Sequence, residues 1–310
     1  MRILLYRSDG NTAPWADDFA RHLPGAECVT WSEGDKPPPC DYAVVWAPPE
    51  AMLRELAEVK AVFLMGAGAD AILKHGSALP AHVPLVRLGD AGMGVQMGEY
   101  VVHAVLRHYR RFDQYEDQAA VGEWRALVTH DRATFTVGVM GAGALGRRVL
   151  DCLRPFGFPL QAWSRSEKDI DGVRCFAGNE GLDAFLRSTR VVVCMLPLTD
   201  TTANILNRAN LGKLPHGAYV INVARGAHVS EPDLLAYIRS GHIAGATLDV
   251  FRNEPLPRQH PFWDEPRITI TPHISALTLR DESVRQIAGK IGQLERGEPV
   301  ADVINRELGY

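Results

Sequence analysis

Three short segments carry an arginine, a glutamate and a histidine, each just after an apolar run of strand length. They are Ile221-Asn-Val-Ala-Arg225-Gly226, Leu248-Asp249-Val-Phe-Arg-Asn-Glu254-Pro255 and Ile270-Thr-Pro272-His273-Ile274. If these runs are neighbouring strands of a parallel sheet, their C-terminal ends bring the three side chains to the crevice where open α/β sheets hold ligands. The residue types suit reduction of a 2-keto acid. An arginine grips a carboxylate and polarises the adjacent carbonyl. A histidine gives a proton to the carbonyl oxygen as a hydride arrives. A glutamate beside it orients the imidazole and favours its charged form. Singly, each is an ordinary loop residue; together and in this order they read as a catalytic set.

A hydride needs a carrier, and one motif upstream suits it. Val137-Gly-Val-Met-Gly141-Ala-Gly143-Ala144-Leu145-Gly146 places Gly-x-Gly-x-x-Gly between an apolar strand and an amphipathic helix. Gly141 permits a tight turn, Gly143 lets the backbone approach a pyrophosphate, and Gly146 lets the helix pack on the strand. The helix N-terminus then holds the anion. No Gly-Lys-Ser/Thr follows, so the loop is not a nucleotide-triphosphate cradle. An NAD site commonly has an acidic residue at the end of the next strand. Here that strand ends Trp163-Ser164-Arg165-Ser166. Arginine and two serines bind a 2′-phosphate that an acid would repel, so NADP(H) is expected over NAD(H).

The elements that must position these residues follow from apolar periodicity. Strands are expected at residues 3–6, 42–46, 62–65 and 85–88, with helices at 15–22, 50–58 and 69–75. A long helix begins near Gln96, with Val101, Val102, Val105, Leu106, Tyr109 and Phe112 on one face. Beside them Arg107, Arg110 and Arg111 form a basic cluster, read as a solvated or subunit-facing edge. A second series follows, with strands at 136–140, 159–163, 191–195, 219–223, 246–250 and 268–271. Its helices are expected at 144–156, 181–188, 208–214 and 231–240, and a last helix at 278–296. Strand alternating with helix predicts an α/β fold of two domains, each a parallel sheet covered on both faces. The expected layout is a cofactor domain, residues 100–275, inserted into a substrate domain made of 1–99 and 276–310.

Composition narrows the partners. The 33 basic and 37 acidic residues sum to −4, which points to neither nucleic acid nor an anionic membrane. No apolar run is long enough to span a bilayer. The five cysteines are an odd, unclustered set, arguing against a disulfide framework and for a reducing, cytoplasmic setting. His103 and His108 stand five apart and no His-Glu-x-x-His occurs, so no metal site is expected.

With these residues in place, the sequence resembles the D-isomer-specific 2-hydroxyacid dehydrogenases over nearly its whole length, most strongly across residues 137–278. It is most similar to the short A branch of glyoxylate/hydroxypyruvate reductases, through Met65-Gly-Ala-Gly-Ala-Asp70, Gly92-Met-Gly-Val-Gln-Met97 with Glu99-Tyr100, Arg110-Arg-Phe-Asp113 and Trp163-Ser-Arg-Ser166. The resemblance implies that Arg225, Glu254 and His273 are catalytic. It implies cofactor contacts from Gly141, Gly143, Ala144, Leu145, Gly146, Ser164, Arg165 and Ser166. Leu196, Pro197 and Thr199 of Leu196-Pro-Leu-Thr199, with Val223 and Ala224, would line the cofactor, and Asp249 would lie on the nicotinamide side. Backbone amides of Gly66, Ala67 and Gly68 would join Arg225 on the substrate carboxylate. Trp46, at a strand end, is either a wall of a small pocket or part of the core. The implied reaction is NADPH-dependent reduction of small 2-keto acids such as glyoxylate and hydroxypyruvate, in a homodimer joined through the 96–125 helix and its arm. The alternatives are a D-lactate or phosphoglycerate type of dehydrogenase and a dinucleotide-sensing interaction protein without turnover.

Overall fold

The computed structural model describes residues 1–310, which form two compact units: Met1–Gly92 with Thr278–Tyr310, and Met93–Leu277. No helix is long and apolar enough to cross a membrane.

The first unit alternates β1 (Arg2–Arg7), α1 (Ala13–His22), β2 (Glu27–Thr30), β3 (Tyr42–Trp46), α2 (Glu50–Arg54), β4 (Ala61–Leu64), α3 (Asp70–Leu73) and β5 (Leu85–Val86). Its parallel sheet has the order β2-β1-β3-β4-β5. Both faces are buried, as parallel strands require: Leu4, Ala43, Val45, Val62 and Leu64 join one core cluster, while Ile3, Leu5, Tyr42, Val44 and Phe63 are buried beside them in the alternate register.

The second unit begins with α4 (Met93–Tyr109) and α5 (Phe112–Ala120). It continues through β6 (Val137–Met140), α6 (Ala144–Leu153), β7 (Leu160–Ser164), β8 (Val173–Ala177), α7 (Gly178–Arg187) and β9 (Val191–Cys194). It closes with α8 (Arg208–Leu211), β10 (Ala218–Asn222), α9 (Glu231–Arg239), β11 (Ile243–Leu248) and β12 (Ile268–Ile270). The parallel sheet runs β12-β11-β10-β9-β6-β7-β8, with the order reversing between β6 and β9. The period-2 alternation of β9 shows how both faces are covered. Val192 and Cys194 enter one core cluster, Val191 and Val193 the other. On α6 the buried Gly146, Val149, Leu150 and Leu153 recur at i, i+3, i+4 and i+7, and each of the three aliphatics contributes about 1.5–3 kcal/mol by leaving water. Gly98 lets α4 lie against α6, since a Cβ there would stand 2.5 Å from the Cys152 sulfur.

The chain then returns to the first unit as α10 (Arg280–Glu295). Val284, Ile287 and Ile291 are buried on its inner face. Arg280 Nε donates to buried Asp18 of α1 at 2.5 Å, and the Tyr42 hydroxyl donates to Glu295 at 2.6 Å.

Helices α2, α3 and α8 are shorter than the sequence suggests, β11 starts and ends earlier, and three further details differ. The helix expected to run on past Phe112 breaks at Arg111, whose φ of +58° is left-handed, so Phe112 starts a new helix. Strands β2 and β8 were not expected; both are sheet edges, only partly buried, without the continuous apolar run that marks a central strand. Strand β5 is two residues long rather than four.

Candidate active site

The glycine turn lies at the C-terminal end of β6, beside the end of β9, at the point where the strand order reverses. Gly141 has φ +107°, and a Cβ there would meet the Met195 carbonyl oxygen at 2.7 Å. Only glycine satisfies both the left-handed backbone and that contact. A Cβ on Gly146 would sit 1.8 Å from the Gly141 carbonyl oxygen, so the helix start closes directly onto the turn. Gly143 differs: nothing of the protein lies within 4 Å of its Cβ position. It is the N-cap of α6, and no side chain caps it. The first-turn amides of α6, including those of Ala144 and Leu145, therefore face an open cradle suited to a pyrophosphate. Leu196 and Pro197 continue the chain beside Gly141, and Thr199 is held in a turn by Thr202 through its amide at 2.8 Å.

At the end of the next strand, Ser164 is buried and its hydroxyl donates to the Ser166 carbonyl at 2.7 Å. Arg165 and Ser166 are exposed there, with no carboxylate in the Ser164–Ser166 stretch. The tip of β7 thus offers positive charge and the Ser166 hydroxyl where a 2′-phosphate would lie.

The catalytic candidates occupy the ends of β10, β11 and β12, which are adjacent. Glu254 Oε2 and His273 Nδ1 are 2.8 Å apart, and Glu254 Oε1 accepts the Phe251 amide at 2.9 Å. Both carboxylate oxygens are engaged, and the Nδ1–H of His273 points at Glu254, which leaves Nε2 outside that pair. His273 has φ +56°. Its amide donates to the carbonyl of Asp249 at 2.9 Å and of Thr271 at 3.1 Å. The Asp249 side chain, which has no exposed surface, holds the same segment. It accepts from the Thr271 hydroxyl at 2.6 Å and from the amides of Ile274 and Ser275 at 2.8 Å each. Thr271 in turn is 2.6 Å from the Tyr100 hydroxyl. Burial, reinforced by the Asp249 charge, pushes the Tyr100 phenol up to about 12 despite that hydrogen bond. It therefore stays a neutral partner across the working pH range.

Arg225 is half-buried at the end of β10, after Val223 and Ala224, and its Nη1 donates to the Ala224 carbonyl at 2.7 Å. Three residues that the sequence reading passed over fix it. Buried Asn222 donates to the Arg225 carbonyl at 2.9 Å and accepts the Ala224 amide at 3.2 Å. Buried His228 accepts the Arg225 amide at Nδ1, 3.2 Å, and its Nε2 faces the Pro197 carbonyl at 3.2 Å. Gly226 lies against the loop after β11, where a Cβ would be 1.9 Å from the Phe251 carbonyl carbon. That contact sets the Arg225 turn directly on the segment that leads into Glu254. A glycine after the arginine was visible in the sequence; its partner, 25 residues downstream, was not.

In the first unit, Gly66, Ala67 and Gly68 follow β4, and Trp46 ends β3. The Trp46 ring covers Gly66, where a Cβ would stand 2.6 Å from a ring carbon, yet 42% of Trp46 stays exposed. Trp46 is thus not part of the core.

Comparison with known proteins places the chain among enzymes of one kind. The family described as D-isomer specific 2-hydroxyacid dehydrogenase, NAD binding domain, matches residues 102–275. The glyoxylate/hydroxypyruvate reductases A of Yersinia enterocolitica and Serratia proteamaculans are 46% and 48% identical to it, over the full length of both chains in each case. Among solved structures, a D-isomer specific 2-hydroxyacid dehydrogenase from Xanthobacter autotrophicus in complex with NADPH and MES superimposes with TM-score 0.94 at 37% identity. The NADPH-dependent glyoxylate/hydroxypyruvate reductase of Sinorhizobium meliloti, in complex with NADP and sulfate, gives 0.91 at 34%. Both alignments cover 100% of this chain and 99% of the other.

The Gly226 contact is testable without any assay of turnover. Gly226→Ala is expected to destabilise the protein by about 3 kcal/mol, because backbone rather than a flexible side chain must move. An unchanged melting temperature would show that the turn is not set by that contact.

Proposed function

The chain belongs to the D-isomer-specific 2-hydroxyacid dehydrogenases, and from that membership we propose that it is an NADPH-dependent reductase of small 2-keto acids, glyoxylate and hydroxypyruvate, yielding the 2-hydroxy acids. The observation that carries the chemistry is the Glu254–His273 pair at 2.8 Å, on the same sheet edge as Arg225 and the open Gly143 cradle. The unit Met93–Leu277 takes the dinucleotide and the unit formed by Met1–Gly92 and Thr278–Tyr310 contributes to substrate binding.

When bound, the reduced nicotinamide supplies the hydride. The amides at Gly143–Gly146 hold the pyrophosphate, and Ser164, Arg165 and Ser166 hold the 2′-phosphate. Leu196, Pro197, Thr199, Val223 and Ala224 line the cofactor. Asp249 acts there through the 271–275 segment that it fixes. Arg225 grips the substrate carboxylate with its planar fork and withdraws charge from the neighbouring carbonyl. His273 holds a proton on Nε2 for the carbonyl oxygen, so that hydride and proton together convert C=O to CH–OH. Glu254 stabilises the imidazolium before transfer and keeps the ring oriented after it. Gly66, Ala67 and Gly68 are assigned to the carboxylate through their amides, and Trp46 limits the size of the acid.

The chain is further proposed to be a cytoplasmic homodimer. Its five cysteines are free thiols, which supports a reducing compartment. Beyond α5, Trp124 is fully exposed, with Val121 and Val128 largely so; an apolar arm of this kind suits burial against a second copy. Trp124→Glu is expected to move the sedimentation coefficient toward the monomer; a wild-type protein that sediments as a monomer would remove the proposal.

The reaction is checked by following NADPH and NADH oxidation with glyoxylate, hydroxypyruvate, pyruvate and phenylpyruvate. Turnover is expected with NADPH and the two small acids. His273→Ala should cut it by about 10²–10⁴-fold while leaving NADPH binding intact. Binding of NADPH without oxidation by any keto acid would instead favour a sensor, and preference for phenylpyruvate would contradict the small pocket. Arg165→Ala should raise the KM for NADPH about tenfold, the loss of one charged hydrogen bond, with little change for NADH. An unaltered KM for NADPH would refute the role given to Arg165.

A further inference from the structure

The opposite edge of the second unit's sheet has a cationic pocket that the chemistry above does not use. Arg190 directly precedes β9, and Pro215 lies just before β10, so the pocket is at the N-terminal ends of the strands. One five-residue strand, about 16 Å at 3.3 Å per residue, separates it from the Gly141–His273 edge. The cavity has a volume of about 320 Å³ and is lined by His130, Thr134, Phe135, Arg187, Ser188 and Arg190, among others.

Its charge is unbalanced. Neither Arg187 nor Arg190 forms an ion pair with a carboxylate; Arg190 spends one N–H on the His216 carbonyl at 2.6 Å. Behind His130 stand the buried His108, with ring centroids 5.3 Å apart, and Arg111. His130 Nε2, Arg111 Nε and both ring nitrogens of His108 are buried without a hydrogen-bond partner. Such groups cost about 1–3 kcal/mol each unless something satisfies them. Two acids are near. Asp113 faces His108 at 3.9 Å, beyond hydrogen-bond reach. Asp131, on the cavity wall, already accepts the Ala133 amide at 3.1 Å and the Thr134 hydroxyl at 3.4 Å.

We propose that this pocket is a second anion site, binding a small oxyanion of the phosphate or sulfate class between Arg187, Arg190 and His130. The ligand accepts from the guanidinium groups beside the His130 ring, and its charge relieves the mutual repulsion of Arg111 and Arg190. Burial, followed by the charges of His108, Arg111 and Arg190, holds His130 down to about 4, with Asp113 opposing. A bound anion acts in the other direction, so His130 reports occupancy locally.

The test is an NMR titration of the His130 imidazole in the full-length protein saturated with NADP⁺, so that the 2′-phosphate and pyrophosphate subsites are already filled. Sulfate is compared with chloride at equal ionic strength. Sulfate is expected to raise the His130 midpoint by about one unit or more, saturably. Arg190→Gln and Arg187→Gln should each diminish the shift. Arg187 is exposed at the end of α7 and keeps the test interpretable if the Arg190 variant folds poorly. Inorganic phosphate against an organic phosphomonoester at neutral pH, read as chemical shift, then distinguishes a free ion from a phosphorylated metabolite. A midpoint that sulfate does not move, or moves equally in both variants, overturns the proposal. So does a midpoint that rises with protein concentration in chloride alone, since a carboxylate of a second copy would then fill the pocket.

Discussion

A carboxylate with no access to water holds the reactive edge of this protein together. Asp249 accepts one hydroxyl and two amides through its side chain, all from residues 271–275, and its carbonyl accepts the His273 amide. An ionised group in that setting costs several kcal/mol unless its donors are present. The donors are therefore obligatory, and the segment that supplies them is confined to one path. That path takes His273 through φ +56°, which for a residue with a Cβ costs about 1–2 kcal/mol. Strain of this kind persists where neighbouring contacts over-determine it. Here the result is a histidine whose ring meets Glu254 without relying on its own loop for orientation. The Glu254 contact depends on Asp249 staying enclosed by these donors.

Around that carboxylate the strand ends are joined by backbone pressed on backbone. Gly141 touches Met195, Gly146 touches Gly141, and Gly226 touches Phe251, each closer than any Cβ permits. These contacts link the end of β6 to that of β9, and the end of β10 to that of β11. The glycine turn is packed on the end of β9, and the Arg225 turn on the approach to Glu254, while His228 reaches from the second pair to the Pro197 carbonyl of the first. A small displacement in one loop cannot be absorbed by a rotating side chain, because no side chain intervenes. The protein obtains precise placement of its charged groups at the expense of tolerance at three glycines.

How much of this could be read from sequence depended on whether the partner of each residue was near in the chain. The Gly141–Gly146 turn was legible because strand, turn and helix are contiguous. The central strands were legible because burial on both faces makes them continuous apolar runs. Strands β2 and β8 escaped because an edge strand has one open side and a mixed composition. The helix break at Arg111 escaped because apolar periodicity continues through Phe112 while the backbone turns. That Arg225, Glu254 and His273 meet at adjacent strand ends could be read from their order, yet what fixes Arg225 could not. Asn222 and His228 are inconspicuous polar residues until the fold buries them, and Gly226 has meaning only beside Phe251. Asp249 was assigned by resemblance to the nicotinamide side; its geometry shows it fixing the 271–275 segment.

The two edges of the same sheet treat charge in opposite ways, and the direction of the helices explains part of that difference. Helix N-termini meet the C-terminal strand edge, so anions are favoured there, as at the cradle of α6. Helix C-termini meet the other edge, and cations are favoured. Arg107 and His108 in the last turn of α4 and Arg187 in that of α7 follow this rule. A helix dipole accounts for why such residues are tolerated, but it does not supply a hydrogen-bond acceptor to a buried nitrogen. Of the residues with unpartnered buried nitrogens, His130 lines the cavity while His108 and Arg111 stand behind it, and together they leave an excess of positive charge beyond what the dipole answers. Carbonyl ends already engaged in the first bonds of β9 and β10 do not offset it. The catalytic edge answers its buried charge at Asp249 with donors from its own chain, whereas the cationic edge lacks the corresponding acceptors, which is the physical reason to look for a ligand at this edge rather than for another structural ion pair.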